Sequence, residues 1–238
     1  MKTFVMIPTY NEKDNIKILI EKILKLKIKN LNVVVVDDNS PDFTWKIVQN
    51  IAKKNKNVHI LLRKKDKGRG SAGKDGFIYC LKHKADIVVE MDSDMSHEPK
   101  YIPLMIDELK NADLIIGSRQ IKGGKEIGRS LIRRIITYLA NLYIRIVLGL
   151  KVKDCNSGFR CFKREVLEKI NLQNIKSKGP AIVQEILFKA NIKKFRIKEI
   201  PITFINRTKG KSKLGLRQLA SGYFMVLKLK ILSIMGKI

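Results

Sequence analysis

Ile87-Val88-Val89-Glu90-Met91-Asp92-Ser93-Asp94 is an apolar run that ends in two carboxylates one residue apart. The run has the length and β-branched character of a buried strand, and the acids open the loop behind it. Side chains at i and i+2 of an extended segment point the same way, so Asp92 and Asp94 can face one ligand. Two like charges held that close are unfavourable unless a cation joins them. An Asp-x-Asp behind a strand is equally compatible with a solvated turn. Two earlier stretches bear on the choice. Met6-Ile-Pro-Thr-Tyr-Asn-Glu12 ends the first apolar run, and Val33-Val-Val-Val-Asp-Asp-Asn-Ser-Pro-Asp42 ends the second. Three strands would then deliver Tyr, Glu and Asp groups to their carboxyl ends, where open α/β sheets bind ligands.

Working outward, strand-like runs occur at 3–7, 32–36, 57–62, 86–91 and 113–117, with helix-period stretches at about 13–27, 42–54, 71–84 and 99–110. This alternation predicts an α/β fold with a doubly wound, mainly parallel sheet and helices on both faces. Asp42 before Phe43 and Ser96-His97-Glu98-Pro99 before Tyr101 supply helix-start chemistry. After Gly117-Ser-Arg119 the pattern changes. Gly123-Gly124 marks a loop, 129–149 is a long apolar segment carrying Arg129, Arg133, Arg134 and Arg145, and Asn156-Ser-Gly-Phe-Arg160 reads as a compact turn. Short helices are expected near 163–170 and 180–190, then a strand-like run at 195–205 and a helical segment from Leu214 to Ile238. The organisation expected is a catalytic domain over 1–213 and an amphipathic appendage over 214–238.

The 238 residues suffice for one large core, and a hydrophobic content of 45% excludes a disordered chain. The formal net charge of +27 points to polyanions, although the lysines are spread along the chain rather than clustered. Zinc-ligand spacing, a recognition helix and paired aromatic strands are all missing, so nucleic acid is not an expected partner. Cys80, Cys155 and Cys161 are odd in number and irregularly spaced, which suggests a reducing compartment and neither a disulfide framework nor a zinc site. No signal peptide is visible before Pro8, and no stretch reaches the length of a membrane span. The expected location is cytoplasmic. Gly68-Arg-Gly-Ser-Ala-Gly73 lacks Walker spacing, so it reads as a turn entering a helix rather than a P-loop.

Pro8-Thr-Tyr-Asn-Glu12, Val36-Asp-Asp-Asn-Ser-Pro-Asp42, Met91-Asp-Ser-Asp-Met-Ser-His97, Gly117-Ser-Arg119, Ser157-Gly-Phe-Arg160 and Arg207-Thr-Lys-Gly-Lys-Ser-Lys213 resemble, in order, the motifs of dolichyl-phosphate mannosyltransferases of glycosyltransferase family 2. The likeness runs from residue 4 to about 216 and implies the GT-A fold. It implies inverting transfer of mannose from GDP-mannose to a dolichyl or other polyprenyl phosphate. Arg69 stands where that family usually has an apolar residue, Gly73 where it has an aromatic one, and Asn206 where Asp is common.

The resemblance assigns roles. Pro8, Tyr10, Glu12, Val36 and Asp38 would meet the nucleotide, with Tyr10 against the base and Glu12 or Asp38 accepting from base N–H or ribose hydroxyls. Asp37 would be a structural neighbour. Asp92, Asp94 and Ser96 would hold Mg²⁺ or Mn²⁺ with the donor diphosphate, while His97 reads as a helix-start residue. The acceptor phosphate is already an anion and needs no general base, so Arg119, Arg133, Arg207 and Lys213 would neutralise and orient phosphates. Arg129 and Arg134 are weaker candidates. Glu185 would hold sugar hydroxyls or an arginine, or else be a helix-surface acid. The 214–238 helix, helped by 131–150, would lie on the cytoplasmic face of a membrane, cover the core, or dock on a small membrane-spanning partner. Two alternatives stay open: another hexose, such as glucose from UDP-glucose, and an inactive basic protein with a nucleotide-sugar fold.

Overall fold

A computed structural model of the protein describes residues 1–206 and 216–238, and the side chains of all of these except 216–220. The strands are β1 (Thr3–Thr9), β2 (Leu31–Asp37), β3 (Val58–Leu62), β4 (Ile87–Glu90), β5 (Leu114–Ser118), β6 (Lys125–Ile127), β7 (Arg160–Lys163), β8 (Ile197–Pro201) and β9 (Thr203–Ile205). The helices are α1 (Ile16–Leu24), α2 (Thr44–Lys54), α3 (Arg69–Lys82), α4 (Ile102–Glu108), α5 (Leu131–Leu148), α6 (Arg164–Lys169), α7 (Ile182–Ile192) and α8 (Leu216–Ile234). A seven-stranded sheet runs β3-β2-β1-β4-β7-β5-β8, and β6 pairs with β9 in a separate ribbon.

β1 and β2 are buried at every position because both faces of the sheet are covered. Along β2 the valines alternate. Val33 and Val35 pack with Ile16, Leu19 and Ile20 of α1, whereas Val34 and Val36 pack with Ala72 and Phe77 of α3. Helix α3 lies flat on that second face. A Cβ at Gly76 would stand 2.7 Å from the Met6 side chain, so no larger residue lets the helix approach so closely.

The chain adds β2 and β3 on one side of β1, then returns to place β4 on the other. The order therefore reverses at β1, and the crevice at the carboxyl ends of β1 and β4 is where such sheets take ligands. The expected strands at 3–7, 32–36, 57–62, 86–91 and 113–117 are all present.

Three features depart from the sequence reading. The residues after Ser157-Gly158 form β7, which runs antiparallel between β4 and β5 and sets Arg160 opposite Glu90. The run at 195–205 is two strands in different sheets: β8 pairs with β5 and β9 with β6. The loop after Gly123-Gly124 contains β6. The 129–149 segment is one helix, α5, with Ser130 accepting from Arg133 N at its start and Gly149 in the left-handed region at its end. Helix α8 packs on α5 and α7, with Val226 and Leu229 buried in the core.

No described helix is long and apolar enough to cross a membrane. The three cysteines are buried and unbridged, in keeping with the reading of no disulfide framework. Burial pushes the Cys155 thiol up to about 12, so it is not a reactive thiolate.

Candidate active site

The loop after β4 is tied down from both sides. Asp94 Oδ1 accepts from Ser96 N at 3.1 Å and from Ser96 Oγ at 2.6 Å, which curls the loop back on itself. Met95 sits at φ 64°, a left-handed conformation that this tight turn forces on it. Asp92 N donates to His97 Nδ1 at 3.3 Å. His97 is buried and stacks on Phe159 with 5.0 Å between ring centroids. Burial pushes the His97 pKa down, and a neutral ring has the lone pair needed to accept that N–H. His97 is thus an internal support for Asp92, just ahead of the 3₁₀ turn Pro99–Tyr101.

Asp92 itself has 36% of its side chain exposed. A Cβ at position 158 would come within 3.1 Å of both of its carboxylate oxygens, so Gly158 is what lets the Ser157–Phe159 turn close against Asp92. Ser157 Oγ, donating to Gly117 O at 2.6 Å, locks that turn to β5. Asp92 and Asp94 are hard oxygen donors in partly exposed positions. That suits a site where a divalent ion takes two protein oxygens and completes its shell with donor phosphates and water. Among the described residues no group of three or more His, Cys, Asp or Glu could hold a metal by itself.

Below the pair lies a buried charge layer. Glu90, fully buried, accepts from Arg160 through Nε at 2.8 Å and also through Nη2. Arg69 Nη2 reaches Glu90 Oε1 at 2.9 Å and Asp92 Oδ1 at 3.5 Å. The sequence reading treated Glu90 as strand filler and gave Arg160 no partner. Only the antiparallel insertion of β7 brings them together.

The nucleotide side shows a mixture of open and committed groups. Tyr10 follows the end of β1 and is 39% exposed. Glu12 Oε2 accepts from Asn15 Nδ2 at 2.8 Å, and Glu12 N donates to Thr44 Oγ1. Asp42 accepts from Thr44 N and Oγ1 and so ties down the first residue of α2, but the N-cap position itself is Phe43, which has no side-chain cap bond. Pro8 and Val36 are buried neighbours in register, so their side chains are core and only main-chain groups remain for a ligand. Asp37, fully buried, accepts from Ser40 N and Oγ, the structural neighbour it was expected to be. Burial pushes its pKa up. Asp38 is 5% exposed and is not the open acceptor expected. One oxygen is paired with Arg63 Nη1 and the other accepts from Gly68 N at 2.7 Å. Arg63, which sequence reading missed, also binds Asp75 and the carbonyl of Asp66 and so pins the loop before α3.

That loop is not a phosphate cradle. Gly70 N donates to Lys178 O at 2.9 Å, and a Cβ at Gly70 would strike Ser177 O at 2.3 Å. Its glycines admit protein backbone. Glu185 holds that backbone in place: fully buried, it accepts from Lys176 N and Ser177 N and pairs with Lys189 at 3.3 Å. The expectation of a helix-surface acid or a sugar ligand gives way to a loop anchor.

Among the arginines expected to meet phosphate, Arg119 is not a loose fork. Its Nε and Nη2 both donate to Asp154 at 2.8 Å, its backbone N–H binds the same carboxylate, and Glu126 lies 3.8 Å away. Those charges hold its pKa above the usual arginine value despite burial, which alone would lower it. Arg129 pairs with Glu126, and both guanidiniums lie over the Phe204 ring of β9. Burial lowers the Arg129 pKa, and the charges of Arg119 and Arg133 add to this. Arg129, set aside in the sequence, therefore joins Arg119 and Arg133 in one cationic cluster. Arg133 is exposed on the first turn of α5. The β6–β9 ribbon, which supplies Glu126 and Phe204 to this cluster, is fastened to the Asp94–Ser96 loop, because Ile205 N donates to Ser96 O. Arg207 and Lys213 lie outside the described residues. Asp154 and Phe204 escaped the sequence reading because the arginines they meet are distant in sequence, whereas Glu126 sits only three residues from Arg129 and was passed over.

Comparison with known proteins accords with this geometry. Residues 4–171 match the family "Glycosyl transferase family 2". The chain is 37% identical over 215 residues to an undecaprenyl-phosphate mannosyltransferase of Micrococcus luteus, covering 90% of this chain and 88% of that one. It is 35% identical over 227 residues to a polyprenol monophosphomannose synthase of Mycolicibacterium smegmatis, covering 94% and 85%. A dolichol-phosphate mannosyltransferase of Pyrococcus furiosus is 40% identical over 218 residues, 90% of this chain and 59% of that relative. Among solved structures, glucosyl-3-phosphoglycerate synthase of Mycobacterium tuberculosis in complex with Mn²⁺, UDP and phosphoglyceric acid superposes with a TM-score of 0.68 at 21% identity, over 98% of this chain and 78% of that one. That likeness bears on the fold, and it agrees with the GT-A architecture read from the sequence. A family match over most of the chain, close relatives along nearly its full length and an Asp-x-Asp loop at the sheet's switch point make this protein a glycosyltransferase of family 2.

Proposed function

We propose that the protein transfers mannose from GDP-mannose to a polyprenyl phosphate in one inverting displacement. The observation that carries this reading is the set of near full-length relatives named as mannosyltransferases acting on undecaprenyl phosphate or as polyprenol monophosphomannose synthase. The acceptor's phosphate oxygen attacks the anomeric carbon, the bond from that carbon to the donor phosphate breaks, and GDP leaves with the electron pair. No proton has to move. A divalent cation, Mg²⁺ or Mn²⁺, held by Asp92 and Asp94 with Ser96 bracing the loop, would neutralise the charge that builds on the leaving diphosphate. Tyr10 stacks on the guanine base and Glu12 accepts from its N–H groups or the ribose. Arg119, fixed by Asp154, stands beside Arg129 and Arg133, which meet the incoming phosphate, and Arg207 and Lys213 complete that set. Glu185 and Asp38 position the loop at the start of α3.

The acceptor's isoprenoid tail stays in the bilayer, since each buried CH₂ contributes about 0.8 kcal/mol. The enzyme therefore comes to the lipid. Leu131, Ile132, Ile135, Tyr138 and Leu139 of α5 are all at least half exposed, as are Phe224, Ile231 and Ile234 of α8. Tyr143 Oη donating to Tyr223 O joins the two helices, so their apolar faces form one surface suited to a membrane interface. The lysine-rich chain favours anionic headgroups. A panel of nucleotide sugars incubated with polyprenyl phosphate vesicles tests the reading: GDP-mannose should give a β-linked mannosyl lipid. Product from UDP-glucose alone would reassign the donor, and donor use without any lipid product would remove the acceptor.

A further inference from the structure

We propose that Arg69 is a built-in counter-charge to Asp92, a positioning residue that opposes a divalent cation entering alone and lets it bind with a diphosphate. The inference rests on the reading of Asp92 and Asp94 as metal ligands. Four charged groups are stacked beneath the site: Arg160, Glu90, Arg69 and Asp92. Arg160 lies directly across the sheet from Glu90 and engages it through two nitrogens, so Glu90 is already neutralised from below. Arg69 bonds the other Glu90 oxygen at 2.9 Å and reaches Asp92 at 3.5 Å; with two guanidiniums against the one Glu90 carboxylate, part of the positive charge is left for Asp92.

The placement of this guanidinium depends on a missing side chain. A Cβ at Gly73 would stand 3.2 Å from Arg69 Nη1 and 3.7 Å from Glu90 Oε1. Nη1 occupies the gap that Gly73 leaves, and it is buried without a hydrogen-bond partner among the described residues. A buried unpaired donor is costly. The pair Arg69 and Gly73 thus accepts a local cost to keep a fixed positive charge under the metal loop.

A cation bound to Asp92 would sit at about 2.0–2.6 Å from the carboxylate oxygen, so a divalent charge would stand within a few ångströms of the guanidinium. Like charges at that range repel appreciably even at a protein's effective dielectric. A donor diphosphate brings negative charge that both cations share, and the repulsion becomes joint attraction. Metal and diphosphate affinities are therefore coupled through Arg69, each raising the other.

Mn²⁺ binding to the full chain, measured by electron paramagnetic resonance of the free ion with and without GDP, tests this without relying on turnover. Arg69→Gln keeps an N–H donor for Glu90 and removes the charge, so it should bind Mn²⁺ alone about tenfold more tightly, and GDP should then add less. Arg69→Lys keeps the charge and should stay close to the parent. Gly73→Ala, a helix-favouring change that pushes Nη1 aside, should shift Mn²⁺ affinity the same way as Arg69→Gln and by less. If Arg69→Gln folds and binds Mn²⁺ no more tightly than the parent, or if Gly73→Ala changes nothing, the proposal is overturned. If the parent takes up no Mn²⁺ even with GDP, the metal reading itself fails.

Discussion

Replacing Glu90 with Gln should cost far more stability than so small a change suggests. The amide has the volume of the carboxylate, so no cavity forms and packing is conserved. What is lost is, among the described residues, the only acid paired with Arg160, whose side chain is 1% exposed, and the principal partner of Arg69. Removing one partner of a buried pair leaves an uncompensated charge and typically costs about 3–5 kcal/mol. For a domain of this size each kcal/mol lowers Tm by roughly 2–4 °C, so Glu90→Gln should melt roughly 6–20 °C below the parent. Urea unfolding followed by far-UV circular dichroism measures the loss, and thermal scans in the same buffer give the shift. The charge argument makes a second demand. In Glu90→Gln/Arg160→Met the orphaned guanidinium is gone, so the double variant should recover part of what the single one loses. A single variant within about 1 kcal/mol of the parent, or a double variant whose losses simply add, would refute the account of this layer.

Asp94→Asn retains an Oδ1 that can accept from Ser96 N and Oγ, so its Tm should stay near the parent's while lipid mannosylation drops by about two orders of magnitude or more; near-normal turnover with metal still required would remove Asp94 from the site. Arg207→Ala should raise KM for the polyprenyl phosphate more than it weakens GDP binding, and equal losses would place that arginine on the donor side. Phe224→Glu combined with Ile231→Lys changes residues 72% and 57% exposed, so it should weaken flotation with anionic vesicles without lowering Tm; unchanged flotation would assign that face another partner. Asp113 is held well below the usual carboxylate range by its hydrogen bonds to Arg196 and then Lys163. Its contribution to stability is complete above about pH 4 and lost as pH falls further, so Asp113→Asn should flatten the acid limb of the stability profile measured by urea melts between pH 2 and pH 6.

Much of the fold was legible because it is periodic. Val33–Val36 is apolar at every position, as suits a strand covered on both faces, so the parallel core followed from local pattern while its strand order did not. The Asp92-Ser93-Asp94 loop was legible for the same reason, since strand geometry alone puts both acids at one carboxyl end. Sequence also determined that Asp37 would be structural, because its bonds to Ser40 span three residues. Everything that depended on distant pairing was decided by tertiary structure. Arg119, a phosphate-binding candidate by resemblance, has its fork taken by Asp154, 35 residues away. Glu185, expected to hold sugar hydroxyls or an arginine or else to be a helix-surface acid, is buried under the loop it anchors. β7 is four residues long and begins with an arginine that no local pattern would place inside a sheet. It enters because Glu90 waits across the ladder, 70 residues away, and a buried charge takes its place only where its partner is.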